Sequence, residues 1–372
     1  MVYTFLGFTG FFLTLASLPA WVAANGTSDD VAGLVTTAFL ASTICTQVLV
    51  PRLTRRLGLT PVLIAGLVAI GAPAPLLAVS AELRWVLVIS IVRGCGFGIL
   101  TVLGALLSAQ LVPADRRGEA IGLYGLAIAV PNLVAVPVGV ALATSRHFEW
   151  VAFIGAAPLM AIPAAVALGR SVRDAEQIQH GGTHSARSAV RATLSPAIVL
   201  LVVTMAGGAL LTYLPIVRPS GVTASVALLA FGATGALSRW LAGGLVDRMG
   251  LRSLLPLASA AAIVGLLIVA GGLLSDRDAA AVIIVGSALL GIGYGAVQNL
   301  TLVSAFARAG PSQATTASAV WNAGFDSGTA IGAAMVGIAA ARLGPPATFL
   351  AAAVFIAASA PLVIASIRTP HR

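Results

Sequence analysis

The chain is 372 residues long, 59% of them hydrophobic and only 9% charged, with a mean hydropathy of +1.02. Soluble globular domains carry about 25% charged residues, so that class is excluded. All 21 basic residues are arginine and the net charge is +9, an excess that suggests nucleic acid as a partner until the arginines are placed along the chain.

Charge-poor runs follow one another from the first residue: Met1–Ser28, Val31–Pro51, Leu57–Ala81, Ala120–Ser145, Trp150–Gly169, Ala192–Val217, Pro219–Ser238, Ser253–Ser275, Ala279–Ala307 and Leu343–Ile367. Each reaches the ~20 residues that cross a bilayer. Two more spans, roughly 84–108 and 312–340, are interrupted by single deep charges, Arg93 and Asp326. The pattern predicts an all-α membrane protein of twelve transmembrane helices. Backbone polar groups in lipid must be satisfied within their own segment, and the short alternating strands of a barrel are missing. The first run has no basic n-region and no evident cleavage site, so it is expected to remain as the first helix. With that N-terminus in the cytoplasm, fourteen arginines, from Arg52 to Arg372, fall on inside segments. Only five, Arg84, Arg146, Arg218, Arg277 and Arg342, fall outside, and Arg93 and Arg239 lie within helices. This is the positive-inside bias; it places both termini in the cytoplasm of a multi-pass cell-membrane protein and leaves nucleic acid unnecessary.

Cys45 and Cys95 sit in apolar helices and read as small hydrophobes. The polar stretch Arg170 to Arg191 reads as a flexible cytoplasmic linker. His180 and His184 are four residues apart within it, but no Cys or carboxylate constellation surrounds them, so no metal is expected. The linker, taken as 170–194, separates an N-terminal six-helix bundle (1–169) from a C-terminal one (195–372). The halves repeat. Leu53-Thr-Arg-Arg-Leu-Gly-Leu-Thr60 aligns with Leu245-Val-Asp-Arg-Met-Gly-Leu-Arg252, and Gly96-Phe-Gly98 matches Gly293-Tyr-Gly295. Parallel six-helix repeats are a transporter architecture, with the substrate site at the repeat interface near the midplane.

On these residues the chain resembles the major facilitator superfamily over essentially its whole length. The loop signature G-x-L-x-D-R-x-G-x-R is present as Gly243, Leu245, Asp247, Arg248, Gly250 and Arg252. Arg93-Gly-Cys-Gly-Phe-Gly98 is similar to the family's helix-4 arginine motif, and Ala129-Val-Pro-Asn-Leu-Val-Ala-Val-Pro-Val-Gly139 to the glycine/proline motif of its antiporters. Gly293-Tyr-Gly-Ala-Val-Gln-Asn299 and Trp321-Asn-Ala-Gly-Phe-Asp326 look like the arabinose-efflux-like and drug-efflux branch. In the first half Arg55 stands in place of the loop aspartate and Pro51 in place of the leading glycine; in helix 5, Val130-Pro131 replaces the usual Gly-Pro pair.

The resemblance implies a monomeric secondary transporter in membrane lipid, moving a small molecule by alternating access. Asp247 is expected to meet the N-terminus of helix 5, near Pro113 to Arg117, where free N–H groups and about +0.5 charge favour a carboxylate. Bare arginine at the depth of Arg93 costs at least ~2.5 kcal/mol, so it should face a cavity or a partner. Gln298, Asn299, Tyr294, Trp321, Asn322 and, in helix 5, Asn132 are candidate substrate-cavity residues; amides that merely join helices are the competing reading. Asp326 is the only acid well inside a predicted span. Low dielectric disfavours its charged form, which suits a coupling acid. Asp326 and Arg93 are therefore the candidate proton-coupling pair, a purely structural ion pair being the alternative. Proton-coupled efflux is the expected function, with proton-coupled metabolite import as the runner-up and a non-transporting receptor further behind. Gly94, Gly96 and Gly98 lack the G-K-[ST] ending of a phosphate loop, so no nucleotide or other cofactor is expected. No catalytic constellation appears, so an enzyme is not expected.

Overall fold

A computed structural model describes residues 1–28, 32–145, 147–168, 186–217, 222–275 and 279–367. Most of the expected linker, its His180 and His184, and the loop residues Arg146, Arg218 and Arg277 lie outside the described residues. The rest of that linker is helical from Ala186. Ala189 and Thr193 bury one face there while Arg187 and Arg191 keep the other in water, an amphipathy hidden by the stretch's polar composition.

The chain is helical throughout these residues. In order come α1 (Val2–Leu15), α2 (Leu34–Leu57), α3 (Leu59–Gly71), α4 (Leu83–Gln110), α5 (Arg117–Thr144), α6 (Phe148–Ile154), α7 (Ala186–Val217), α8 (Val222–Met249), α9 (Leu251–Leu274), α10 (Ala280–Ala309), α11 (Ala314–Leu343) and α12 (Pro345–Ala358). Prolines break several spans without ending them. α1 resumes as Ser17–Ala24 beyond Ala16, since Pro19 cannot donate to the carbonyl four residues earlier. Short 3-10 turns at Ala74–Ala78 and Ala157–Ala161, each with proline at the start, extend α3 and α6. Among the described residues, eleven such spans are long and apolar enough to cross a membrane. α11 adds a continuous 30-residue helix. One-residue turns join α2 to α3 and α8 to α9, at Gly58 (φ +84) and Gly250 (φ +78), where only glycine is unstrained.

The chain divides into two compact units. The first is Met1–Leu111 with Ala127–Gly182, the second Val112–Leu126 with Thr183–Arg372, so the division runs through α5. In the first unit an aromatic cluster of Phe8, Phe11, Phe12, Phe39 and Phe97 fills the space between α1, α2 and α4. In the second, Leu210, Leu214, Leu255, Leu266, Leu290 and Leu300 form part of an aliphatic core. Lipid tails are as apolar as leucine, so close backbone approach at small residues holds such helices together. In the first unit Gly94 and Gly98 lie against the α2 backbone at Phe39 and Thr43, while Gly96 lies against α3 at Gly66 and Ile70. The second unit repeats this: Gly291 and Gly295 meet α8 at Phe231 and Gly235, and Gly293 meets α9 at Ala258 and Ala262.

Candidate functional site

In the second unit, α11 carries Asp326 half-buried at mid-helix. The aromatic neighbourhood expected for it is assembled from three helices. Trp321 and Phe325 stack with ring centroids 6.0 Å apart, Phe325 lies 6.5 Å from Tyr294 on α10, and Tyr294 lies 5.0 Å from Phe231 on α8. Asp326 and the guanidinium of Arg239 are both within electrostatic reach of the Tyr294 hydroxyl, and Thr329 Oγ1 donates to the Phe325 carbonyl at 3.0 Å, one turn back.

The remaining polar candidates divide by burial. Tyr294 and Asp326 are partly exposed, whereas Trp321, Asn322, Gln298 and Asn299 are buried. Trp321 Nε1 donates to Thr301 Oγ1 at 3.0 Å, and Asn322 Nδ2 donates to the Ser318 carbonyl at 2.9 Å, one turn back. Asn299, completely buried, donates from Nδ2 to the carbonyls of Gly118 (3.3 Å) and Arg239 (3.2 Å). It thus bridges α10, α5 and α8. Asn132 lies in the first unit's part of α5 and is exposed.

Arg239 on α8 is the residue that the candidate site lacked. It is 8% exposed, donates from Nη1 to Gln298 Oε1 at 2.8 Å, and its guanidinium sits 5.8 Å from the centroid of the Tyr124 ring. A cation over an aromatic face gains most when desolvated, as here. Gly125 leaves room for the arginine stem. Its Nε has no hydrogen-bond partner among the described residues. The signal was available: a single charge in an apolar span, the same observation that singled out Arg93.

Asp247, near the end of α8, reaches the first turn of α5. Its Oδ1 and Oδ2 accept from the backbone N–H groups of Gly118 (3.2 Å) and Glu119 (3.1 Å). These are orphan donors of a helix start, and the carboxylate also meets the positive end of the helix dipole. Asp247 is exposed, so the interaction is worth ~0.3–1 kcal/mol. Gly118, Gly122 and Gly125 line one face of α5 and pack on α8 at Gly243, Trp240 and Arg239. Arg248 and Arg252 of the loop signature are exposed beside the Gly250 turn.

Arg93 in the first unit is 1% exposed. Nε donates to the Ile70 carbonyl (3.0 Å), Nη1 to Thr14 Oγ1 (3.0 Å) and Nη2 to the Gly10 carbonyl (2.9 Å). One guanidinium therefore ties α4 to α1 and α3. Among the described residues no carboxylate forms an ion pair with it; Arg116–Glu119, exposed and 2.9 Å apart, is the pair recorded there.

The family model of the Major Facilitator Superfamily matches residues 1–333. The chain belongs to this superfamily. It is accordingly a multi-pass membrane protein. Solved MFS structures share the fold. A crystal structure of the E. coli fucose:proton symporter superposes with a TM-score of 0.70 at 17% identity, over 99% of this chain and 97% of that one. The human organic anion transporter MFSD10 gives 0.75 at 16% identity, over 97% of each chain. At these identities the likeness is one of fold. An uncharacterised MFS-type transporter of Mycobacterium tuberculosis is 29% identical over 120 residues, 32% of this chain. The match spans about a fifth of that relative's length (21%).

Proposed function

We propose that this MFS chain is a secondary transporter that exports a small organic molecule in exchange for protons by alternating access, from a cell membrane with both termini in the cytoplasm. The observation that carries the reading is Asp326. It is the one acid well inside a predicted span. The helix holds it half-buried beside Tyr294 and Phe325. Partial burial of a carboxylate weighs against its charged form, the property that a coupling acid uses. Tyr294 and Phe325 give an organic substrate an aromatic wall next to it. Arg239, fixed by Gln298 and Tyr124, is the permanent cation of the same region, so protonating Asp326 changes the site's net charge by one.

The cytoplasmic gate in this reading is the seam between α5 and α8. Asp247 clasps the first turn of α5, Asn299 bridges the seam from α10, and three glycines let the backbones meet. Because α5 belongs to both units, a movement of the first unit pulls on that clasp. Asn299 is thereby assigned to the gate, and Tyr294 and Asp326 to the substrate.

The test is flux in proteoliposomes loaded with candidate compounds under an imposed pH gradient. Asp326→Asn is expected to abolish gradient-driven flux while leaving the folded protein intact by thermal unfolding. Wild-type flux indifferent to collapsing the gradient would sink proton coupling. Uptake running only with the proton gradient would replace export by symport.

A further inference from the structure

Arg93 presents an unbalanced charge. A guanidinium has five N–H donors; three of Arg93's are directed at two carbonyls and the Thr14 hydroxyl, all neutral acceptors. Thr14 sends its own proton to the backbone of α1, at Phe11 (3.0 Å) and Gly10 (3.2 Å), so its oxygen is purely an acceptor towards Arg93. Two N–H groups and the whole positive charge remain, in a transmembrane helix, at 1% exposure. Buried charge is normally neutralised by a partner, and among the described residues no acidic side chain pairs with this one.

Directly beside it lies a small cavity of about 20 Å³, bounded by Arg93, Ser90, Thr14, Phe11, Phe39 and Val35 among others, all of the first unit. Ser90 precedes Arg93 by one turn on the same face of α4. It is 1% exposed, and among the described residues its hydroxyl has no hydrogen-bond partner. A buried hydroxyl without a partner carries a desolvation penalty, so such a group calls for an occupant of the cavity. The lining also includes the Phe11 and Phe39 rings, 5.1 Å apart and stacked. Besides the Thr14 and Thr36 hydroxyls, the cavity offers the unpartnered Ser90 O–H and guanidinium N–H groups as donors, among mostly apolar walls and beside one uncompensated positive charge. That chemistry suits an anion. A volume of about 20 Å³ is on the scale of a single small group, so the anion it suits best is a monatomic one.

We propose that the cavity between Ser90 and Arg93 is a halide site, in which one chloride-sized anion accepts from both side chains and neutralises the buried guanidinium. The anion completes the junction of α1, α3 and α4 made by Arg93. It acts as a structural ligand of the first unit and is independent of the proton-coupling reading, which rests on the second.

The experiment uses the full chain in detergent and does not involve flux. Thermal unfolding is followed at constant ionic strength while sodium gluconate is exchanged for sodium chloride or bromide. A ligand bound only by the folded state raises the midpoint saturably. The expected result is such a rise with both halides. In Ser90→Ala the midpoint in gluconate should stay within a degree or two of the parent, with halide affinity about ten-fold weaker, as for loss of one hydrogen bond to a charge. Crystals grown in bromide should show an anomalous peak between Ser90 Oγ and the Arg93 guanidinium. Equal midpoints in gluconate and halide, an unchanged halide response in Ser90→Ala, or a peak elsewhere in the chain would each overturn the site; a bridging water in its place would give the first of these.

Discussion

The pair α2/α4 in the first unit and the pair α8/α10 in the second are built on one plan and carry different chemistry. Gly94 and Gly98 approach α2 at Phe39 and Thr43; Gly291 and Gly295 approach α8 at Phe231 and Gly235. Each pair has a side chain–side chain link in the equivalent place of the repeat. In the first unit it is neutral, Gln47 Nε2 donating to Thr101 Oγ1 at 3.1 Å. In the second it is charged, Arg239 Nη1 donating to Gln298 Oε1 at 2.8 Å. Backbone packing is thus kept in both repeats, while a charge has been placed in only one of the two links. A fold held by close glycine contacts can hold its packing fixed while the groups at the crossing change.

The largest effects should be those on the shared plan, and they should be equal. A side chain on Gly98 or Gly295 would collide with backbone carbonyls of α2 or α8, which cannot move aside as a flexible side chain can. Gly98→Leu and Gly295→Leu are expected to abolish recovery of monodisperse protein in size-exclusion chromatography, since overpacking a rigid contact costs several kcal/mol. If one is tolerated and the other is not, the two pairs do not share their packing.

Next come the links, where the effects should differ. Arg239→Gln makes the second link neutral, like the first. It should leave the protein folded but cut gradient-driven flux at least ten-fold, because the permanent cation beside Tyr294 is lost. Gln47→Leu removes a buried hydrogen bond, although Thr101 retains its bond to the Gly98 carbonyl. It should cost about 1 kcal/mol of stability and change flux less than three-fold. Equal losses of flux in the two variants would mean that the charge of Arg239 has no part in transport.

The spans, the repeat and the loop acid were legible because each depends on local pattern: apolar length, a recurring glycine spacing and a carboxylate in a complete signature. Burial of the polar residues was not. In a membrane helix both lipid-facing and core-facing positions are apolar, so hydrophobic periodicity cannot say which way a polar residue points. Gln298, Asn299, Trp321 and Asn322 read from sequence as cavity residues, and nothing local signals that they are buried. Arg239 stands out in the sequence as an arginine within a helix, but nothing local ties it to Gln298 or Tyr124. That Asn299 donates to Gly118, 181 residues earlier, is a tertiary fact with no local trace.

The smallest effect concerns the loops after α2 and α8, where the repeats differ by Arg55 against Asp247. Both side chains are exposed, and Asp247 caps a helix start. Asp247→Asn replaces a full charge facing two N–H donors and a helix dipole by a neutral amide, so it should lower stability by ~0.3–1 kcal/mol at low ionic strength. Arg55→Gln should lie within ~0.5 kcal/mol of the parent, as surface changes without a specific partner do. Salt separates a charge effect from a packing effect here. At about 1 M the screening length falls to about 3 Å, so the difference between Asp247→Asn and the parent should shrink towards that of Arg55→Gln in thermal unfolding. A deficit for Asp247→Asn that survives high salt would point to the geometry of its two hydrogen bonds, at 3.2 and 3.1 Å, rather than to the dipole, as what holds α5 to α8.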